Sequence, residues 1–68
     1  MKHQRTYLPA VQFVDRMVRR YGINRVWVWE VLDSEMNIIK GIGYVMDREE
    51  MERAEDILFA YILEELNH

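Results

Sequence analysis

The stretch Val26-Trp27-Val28-Trp29-Glu30-Val31-Leu32 leaves a chain of this size few ways to fold. Most of its side chains are branched at Cβ or aromatic, and such residues suit a pleated, half-buried surface better than a helix. The run Ile38-Ile39-Lys40-Gly41-Ile42-Gly43-Tyr44-Val45-Met46 has the same character. Between the two, Asp33-Ser34-Glu35-Met36-Asn37 carries turn formers at both ends, and Asn37 readily accepts a left-handed conformation. The pattern predicts a two-stranded antiparallel hairpin with strands over about 25–32 and 38–46. Setting Leu32 opposite Ile38 places Glu30 against Lys40, and lays Trp29 and Trp27 over Gly41 and Gly43. A slip of one residue would lose all three matches.

The flanks read as helices. Thr6 is positioned to cap a helix over about 7–21, with Pro9 in its first turn; Ala10, Val14, Met17, Val18 and Tyr21 recur at helical spacing, and Gly22 supplies a left-handed stop. After the second strand, Asp47-Arg48-Glu49-Glu50 has the form of a capping box, opening a helix over about 48–66. That helix carries two apolar stripes, Met51, Ala54, Leu58, Tyr61 and Ile62 on one and Phe59, Leu63 and Leu66 on the other, and two stripes imply two neighbours.

These elements give an α+β class: a single αββα domain over residues 1–68, its hairpin covered by two helices. The all-α alternative makes Val26–Leu32 a buried helix. The Trp27, Trp29, Val31, Ile39 and Val45 face contains no charge and is assigned to the core. Val26, Val28, Ile42 and Tyr44 then stay partly exposed, since two helices on one face of a two-stranded sheet leave the other face and both edges open. Half of the 68 residues are hydrophobic, generous for a domain near the lower limit for an unaided core, and there is no cysteine to staple it. Completion by a homodimer is therefore expected, with Val26, Val28, Ile42, Tyr44, Phe59, Leu63 and Leu66 as the interface.

No run approaches the roughly 18–20 apolar residues of a membrane span. The basic start Met1-Lys2-His3-Gln4-Arg5 is interrupted downstream by Pro9, Gln12 and Asp15, unlike a secretory signal, so the expected location is cytoplasmic, in a cell or an infected host. Charge is lopsided: six cations against Asp15 up to Arg25, +5, then three cations against eleven carboxylates, −8. Opposite halves can attract one another across a fold or a dimer.

Arg16, Arg19 and Arg20, with Arg25, form the strongest nucleic-acid signal, because arginines on one helical face reach phosphates as positive forks. The competing reading is a solvated polar face, or one paired with the acidic last helix, and the net charge of −3 favours it. Tyr21-Gly22-Ile23-Asn24, followed by Val28 and Val31, resembles the turn and second helix of helix-turn-helix proteins, which would imply DNA binding. That family places a small residue four positions before the glycine, where Val18 stands here. Gly41 to Leu63 is similar in outline to the last strand and helix of double-stranded-RNA-binding domains, but the lysine cluster opening that family's helix is replaced by Asp47-Arg48-Glu49-Glu50. No function is carried over from either.

Catalytic signals are thin. Gly41-Ile42-Gly43 lacks the third glycine of a phosphate loop, His3 and His68 lie at opposite termini, and the single serine, Ser34, has no histidine beside it in sequence. Helically spaced pairs among Glu49, Glu50, Glu52, Glu55, Asp56, Glu64 and Glu65 are expected to form a solvated face rather than a metal or acid–base site. The sequence thus predicts no enzyme, no cofactor and no metal. It predicts a protein-interaction module, a regulator, adaptor or inhibitor that contacts itself and a larger protein, of a kind that suits a phage or mobile element; the alternative is a nucleic-acid-binding dimer.

Overall fold

The computed structural model describes residues 6–67, in the order β1 (Tyr7–Pro9), α1 (Ala10–Tyr21), α2 (Arg25–Met36), β2 (Val45–Asp47) and α3 (Arg48–Leu66). The α+β class with a two-stranded antiparallel sheet holds, with 69% of the described residues helical. The strands, however, are formed by other residues than expected: Tyr7 pairs with Asp47, Leu8 with Met46 and Pro9 with Val45. Residues 25–32 are helical, as in the all-α alternative, and of 38–46 only Val45 and Met46 are in a strand.

Local bracketing explains why α2 coils. The Asn24 side chain accepts a hydrogen bond from the Trp27 amide at 3.0 Å and so caps the first turn. At the other end Asn37 is left-handed, with φ 59° and ψ 32°, and Ile38 N–H donates back to the Leu32 carbonyl. The expected turn former is thus real, but it stops a helix instead of reversing a strand. Branched and aromatic residues are poorer helix formers than Ala by up to about 0.7 kcal/mol each, so Val26, Trp27, Val28, Trp29 and Val31 together cost about 3 kcal/mol. Burial of Val28, Val31 and Leu32, at helical spacing, returns about 1.5–3 kcal/mol apiece. Packing outweighs propensity.

The expected core changes accordingly. Val28, expected on the exposed face, is fully buried, whereas Ile39 and Val45, expected inside, are exposed; Val31 is buried, and Trp27 and Trp29 are half-buried against the core. Gly41 and Gly43 are not platforms beneath tryptophans. They lie in the loop after α2 with φ of 95° and 70°, and open space lies where a side chain would start.

At the first helix, residues 7–9 are extended rather than helical and Thr6 makes no cap; Leu8 precedes a proline, which disfavours helical backbone there. Gly22 ends α1 in the left-handed region, its N–H bonded to the Val18 carbonyl. The third helix starts where expected: Asp47 accepts from the Glu50 amide at 2.9 Å, and Glu50 accepts from the Asp47 amide at 3.0 Å. The core joins Phe13, Val14 and Met17 of α1, Val28, Val31 and Leu32 of α2, Ile38, Met46 of β2, and Met51, Ala54 and Leu58 of α3.

Each strand leads directly into a helix, so the sheet ties the start of α1 to the start of α3. The Ala10 amide adds a bond to the Tyr44 carbonyl at 2.8 Å, and the Tyr44 phenol donates to Glu50. From there α1 and α3 run side by side in the same direction. Arg20 and Tyr21, at the end of α1, reach Glu55, and the Tyr21 ring lies 6.3 Å from that of Phe59. Beyond Phe59, α3 continues for another seven residues, or about 10 Å, after α1 has stopped.

Candidate functional site

The overhang of α3 is where apolar chemistry meets solvent. Leu58 is the last buried residue of the helix, and the two turns beyond it expose Phe59 at 46%, Leu63 at 44% and Leu66 at 76%. These three are the second stripe expected from the helical wheel, while Met51, Ala54 and Leu58 of the first stripe are in the core. Phe59 meets the Tyr21 ring of α1, whereas Leu63 and Leu66 remain exposed among the described residues.

Between the overhang and the turn joining α1 to α2 runs an open groove of about 340 Å³, lined by Ile23, Asn24, Trp27, Ile62, Glu65 and Leu66. Trp27 meets Tyr61 edge to face at 6.1 Å, and the Tyr61 phenol donates to Glu35 at 2.6 Å, so α2 supports one side of the helix. Ile23, Trp27 and Ile62 were not among the expected interface residues. Ile23 was legible only as the apolar residue after a helix stop, and only the fold sets it facing Ile62.

The remaining expected interface residues scatter. Val26 is exposed on the first turn of α2 and Ile42 on the loop after it, whereas Tyr44 is half-buried and bonded to Glu50. Val28 leaves the interface altogether, because it is in the core.

The arginines of the alternative reading are largely engaged. Asp15 holds Arg19 at 2.9 Å and Arg25 at 3.0 Å, and Arg20 reaches Glu55 of α3 at 3.0 Å. The Arg25 hydrogen bond, with Arg19 adding its charge, keeps the Asp15 carboxyl below its ordinary range. Arg16 is exposed and lines a shallow recess over Phe13, Met17 and Met51. On α2, Glu30 and Asp33 are exposed.

Three tyrosines share one arrangement: Tyr21 donates to Glu55, Tyr44 to Glu50 and Tyr61 to Glu35. In each case the bond to a carboxylate favours the neutral phenol and raises its pKa above the ordinary value. These contacts lock α3 against α1, the preceding loop and α2. Ser34 is exposed on α2, while His3 and His68 lie outside the described residues. Among the described residues no three histidine or carboxylate side chains gather as a metal cluster, and no helix is long and apolar enough to cross a membrane. No protein-family model matches the chain, and no curated protein or solved structure is significantly similar to it.

Proposed function

We propose that this chain acts by protein contact, as a small cytoplasmic regulator, adaptor or inhibitor whose binding surface is the α3 overhang and the groove beside it. One observation carries this reading: α3 runs two turns past its last buried residue with Phe59, Leu63 and Leu66 exposed on it. Large apolar side chains grouped on a surface mark contact sites. The openings described are shallow or open, so among the described residues the fold offers a partner a face rather than a substrate a chamber. A photo-crosslinking residue in place of Leu63, in cells that naturally make the chain, is expected to capture protein. The same residue in place of Ser34, exposed on α2, is expected to capture little; equal yields at the two positions would overturn the reading.

A second reading is favoured by the link from α1 through Gly22 to α2, which has the helix, three-residue turn and helix of the resemblance to helix-turn-helix proteins. It is nucleic-acid binding by a dimer joining the faces that carry Arg16, Arg19, Arg20 and Arg25. It ranks lower because three of these arginines already hold carboxylates, and Glu30 and Asp33 would approach phosphates. Replacing Arg16, Arg19 and Arg20 with Glu should abolish a salt-sensitive DNA or RNA complex. Absence of any such complex in the unmodified chain at low salt ends this reading.

A further inference from the structure

We infer that the groove beside the α3 overhang takes a basic amphipathic helix of a partner protein, its apolar side chains on the groove walls and its lysines or arginines drawn to Glu65. This rests on the protein-contact reading above and names the chemistry of the partner. The argument is what lines the groove. Ile23, Trp27, Ile62 and Leu66 are apolar, Asn24 is neutral, and Glu65 is the one charged side chain. Across the overhang, the opening over Ala60, Tyr61 and Leu63 has Glu64 as its one charged side chain. Neither carboxylate meets a cation among the described residues, where the ion pairs engage Asp15, Glu52 and Glu55 instead. From Ala54 to Asn67 the sequence holds no lysine or arginine.

The position of Glu65 adds to this. Met51, Leu58 and Glu65 recur every seven residues and so share one line of α3, and the first two are buried in the core. An apolar residue at 65 would simply prolong that line; a carboxylate there marks the groove with negative charge. Glu64 and Glu65 also stand in the last turns of α3, where the helix's own carbonyl end is negative and no basic side chain balances it. Apolar walls under this field repel phosphates and anionic lipid heads and attract a cationic amphipath. A helix suits the walls because its backbone hydrogen bonds are already made, whereas an extended segment would lay unpaired amides on Ile23, Trp27 and Leu66. The groove, about 340 Å³, has room for one or two large side chains, and exposed Phe59 and Leu63 adjoin it on the outer stripe.

A synthetic helix of about 18 residues, leucine along one stripe and lysine elsewhere, probes this by NMR titration of the folded chain. It is expected to shift the Trp27 indole N–H and the amides of Ile23, Ile62 and Leu66 first, and to bind at least about tenfold more tightly than the same peptide with glutamate in place of lysine. Glu64→Lys with Glu65→Lys should abolish that preference. Glu30→Lys with Asp33→Lys, the same change of charge on exposed α2, should preserve it. Far-UV circular dichroism verifies folding; should a reversed chain not fold, Glu65→Gln must weaken the lysine peptide about threefold while Glu30→Gln does not. In cells, the segment crosslinked at position 63 should carry Lys or Arg beside Leu, Ile or Phe at helical spacing. Equal binding of the two peptides, equal effects of the two charge changes, or shifts centred away from Trp27 overturn the basic helix, as does a chain whose groove is already closed by a second copy in sedimentation velocity. The protein-contact reading outlives these failures if position 63 still crosslinks more than position 34, and falls if it does not.

Discussion

Val26 and Val28 provide a decisive test of the fold, because a strand would put them on one face with similar surroundings and the helix does not. In α2, Val28 is 0% exposed and Val26 is 65% exposed. Val28→Ala removes two methyl groups from the core, about 1.6 kcal/mol at 0.8 kcal/mol per group. Incomplete collapse of the resulting cavity adds about 1 kcal/mol, for a total loss of about 2–3 kcal/mol. Val26→Ala forfeits only about a third of the transfer energy, near 0.5 kcal/mol, and regains a similar amount from the better helix propensity of Ala. Its net effect should lie within about 0.5 kcal/mol of zero. A domain of this length is worth roughly 3–10 kcal/mol in all, so the Val28 loss is a substantial share. With a urea slope near 1 kcal/mol/M, the Val28→Ala midpoint should fall by about 2 M and that of Val26→Ala should barely move. Measurements at low micromolar concentration keep self-association out of the comparison. Equal shifts for the two, or a larger one for Val26→Ala, would refute the helical assignment of residues 25–36.

Other consequences are open to direct measurement. Asn24→Ala should destabilise the chain by about 1 kcal/mol and speed amide exchange first at Trp27, whose N–H it holds; unchanged exchange there would contradict the cap. Asp47→Ala should cost a similar amount at α3, where both halves of the capping box are formed. Tyr21, Tyr44 and Tyr61 have folded-state pKa values raised by Glu55, Glu50 and Glu35, so the folded chain holds these protons longer than the unfolded one. Their contribution is complete below the unfolded value of about 10 and is lost as pH rises through the folded values, so denaturation midpoints should drop above about pH 10. The triple Tyr→Phe variant should flatten that drop. Asp15 has the opposite sign: its lowered pKa contributes stability above the unfolded value of about 4, lost as pH falls through the folded one, and Asp15→Asn should remove that part of the acid response.

What the sequence discloses depends on how far apart the cooperating residues lie. The start of α3 was readable to the residue because a capping box is complete within four positions, and the end of α1 because Gly22 acts locally. The second apolar stripe of α3 was readable for the same reason, as a property of one helix. Residues 26–32 were misassigned because their branched and aromatic side chains express a local preference that tertiary burial of Val28, Val31 and Leu32 overrides. The contrary signals, Asn24 as a cap and Asn37 as a left-handed stop twelve residues beyond the start of α2, were present but weigh little against composition. The true strands, three residues each, are too short to show alternation, and they pair across nearly forty residues. The groove beside α3 was illegible because one wall comes from the α1–α2 turn, and only the folded chain brings Ile23 near Ile62.

The short sheet that ties α1 to α3 has a mechanical consequence. It works as a clasp at one end of a pair of rods, with α3, about 28 Å long, as the lever. Because Leu58, just past the middle of that rod, is fully buried, the core and not the clasp alone fixes its direction up to that point, and only the part beyond it toward Leu66 is free of the core. Of the three phenol–carboxylate latches, those at Glu50 and Glu55 hold the part before Leu58, and the one at Tyr61 holds the overhang itself to α2.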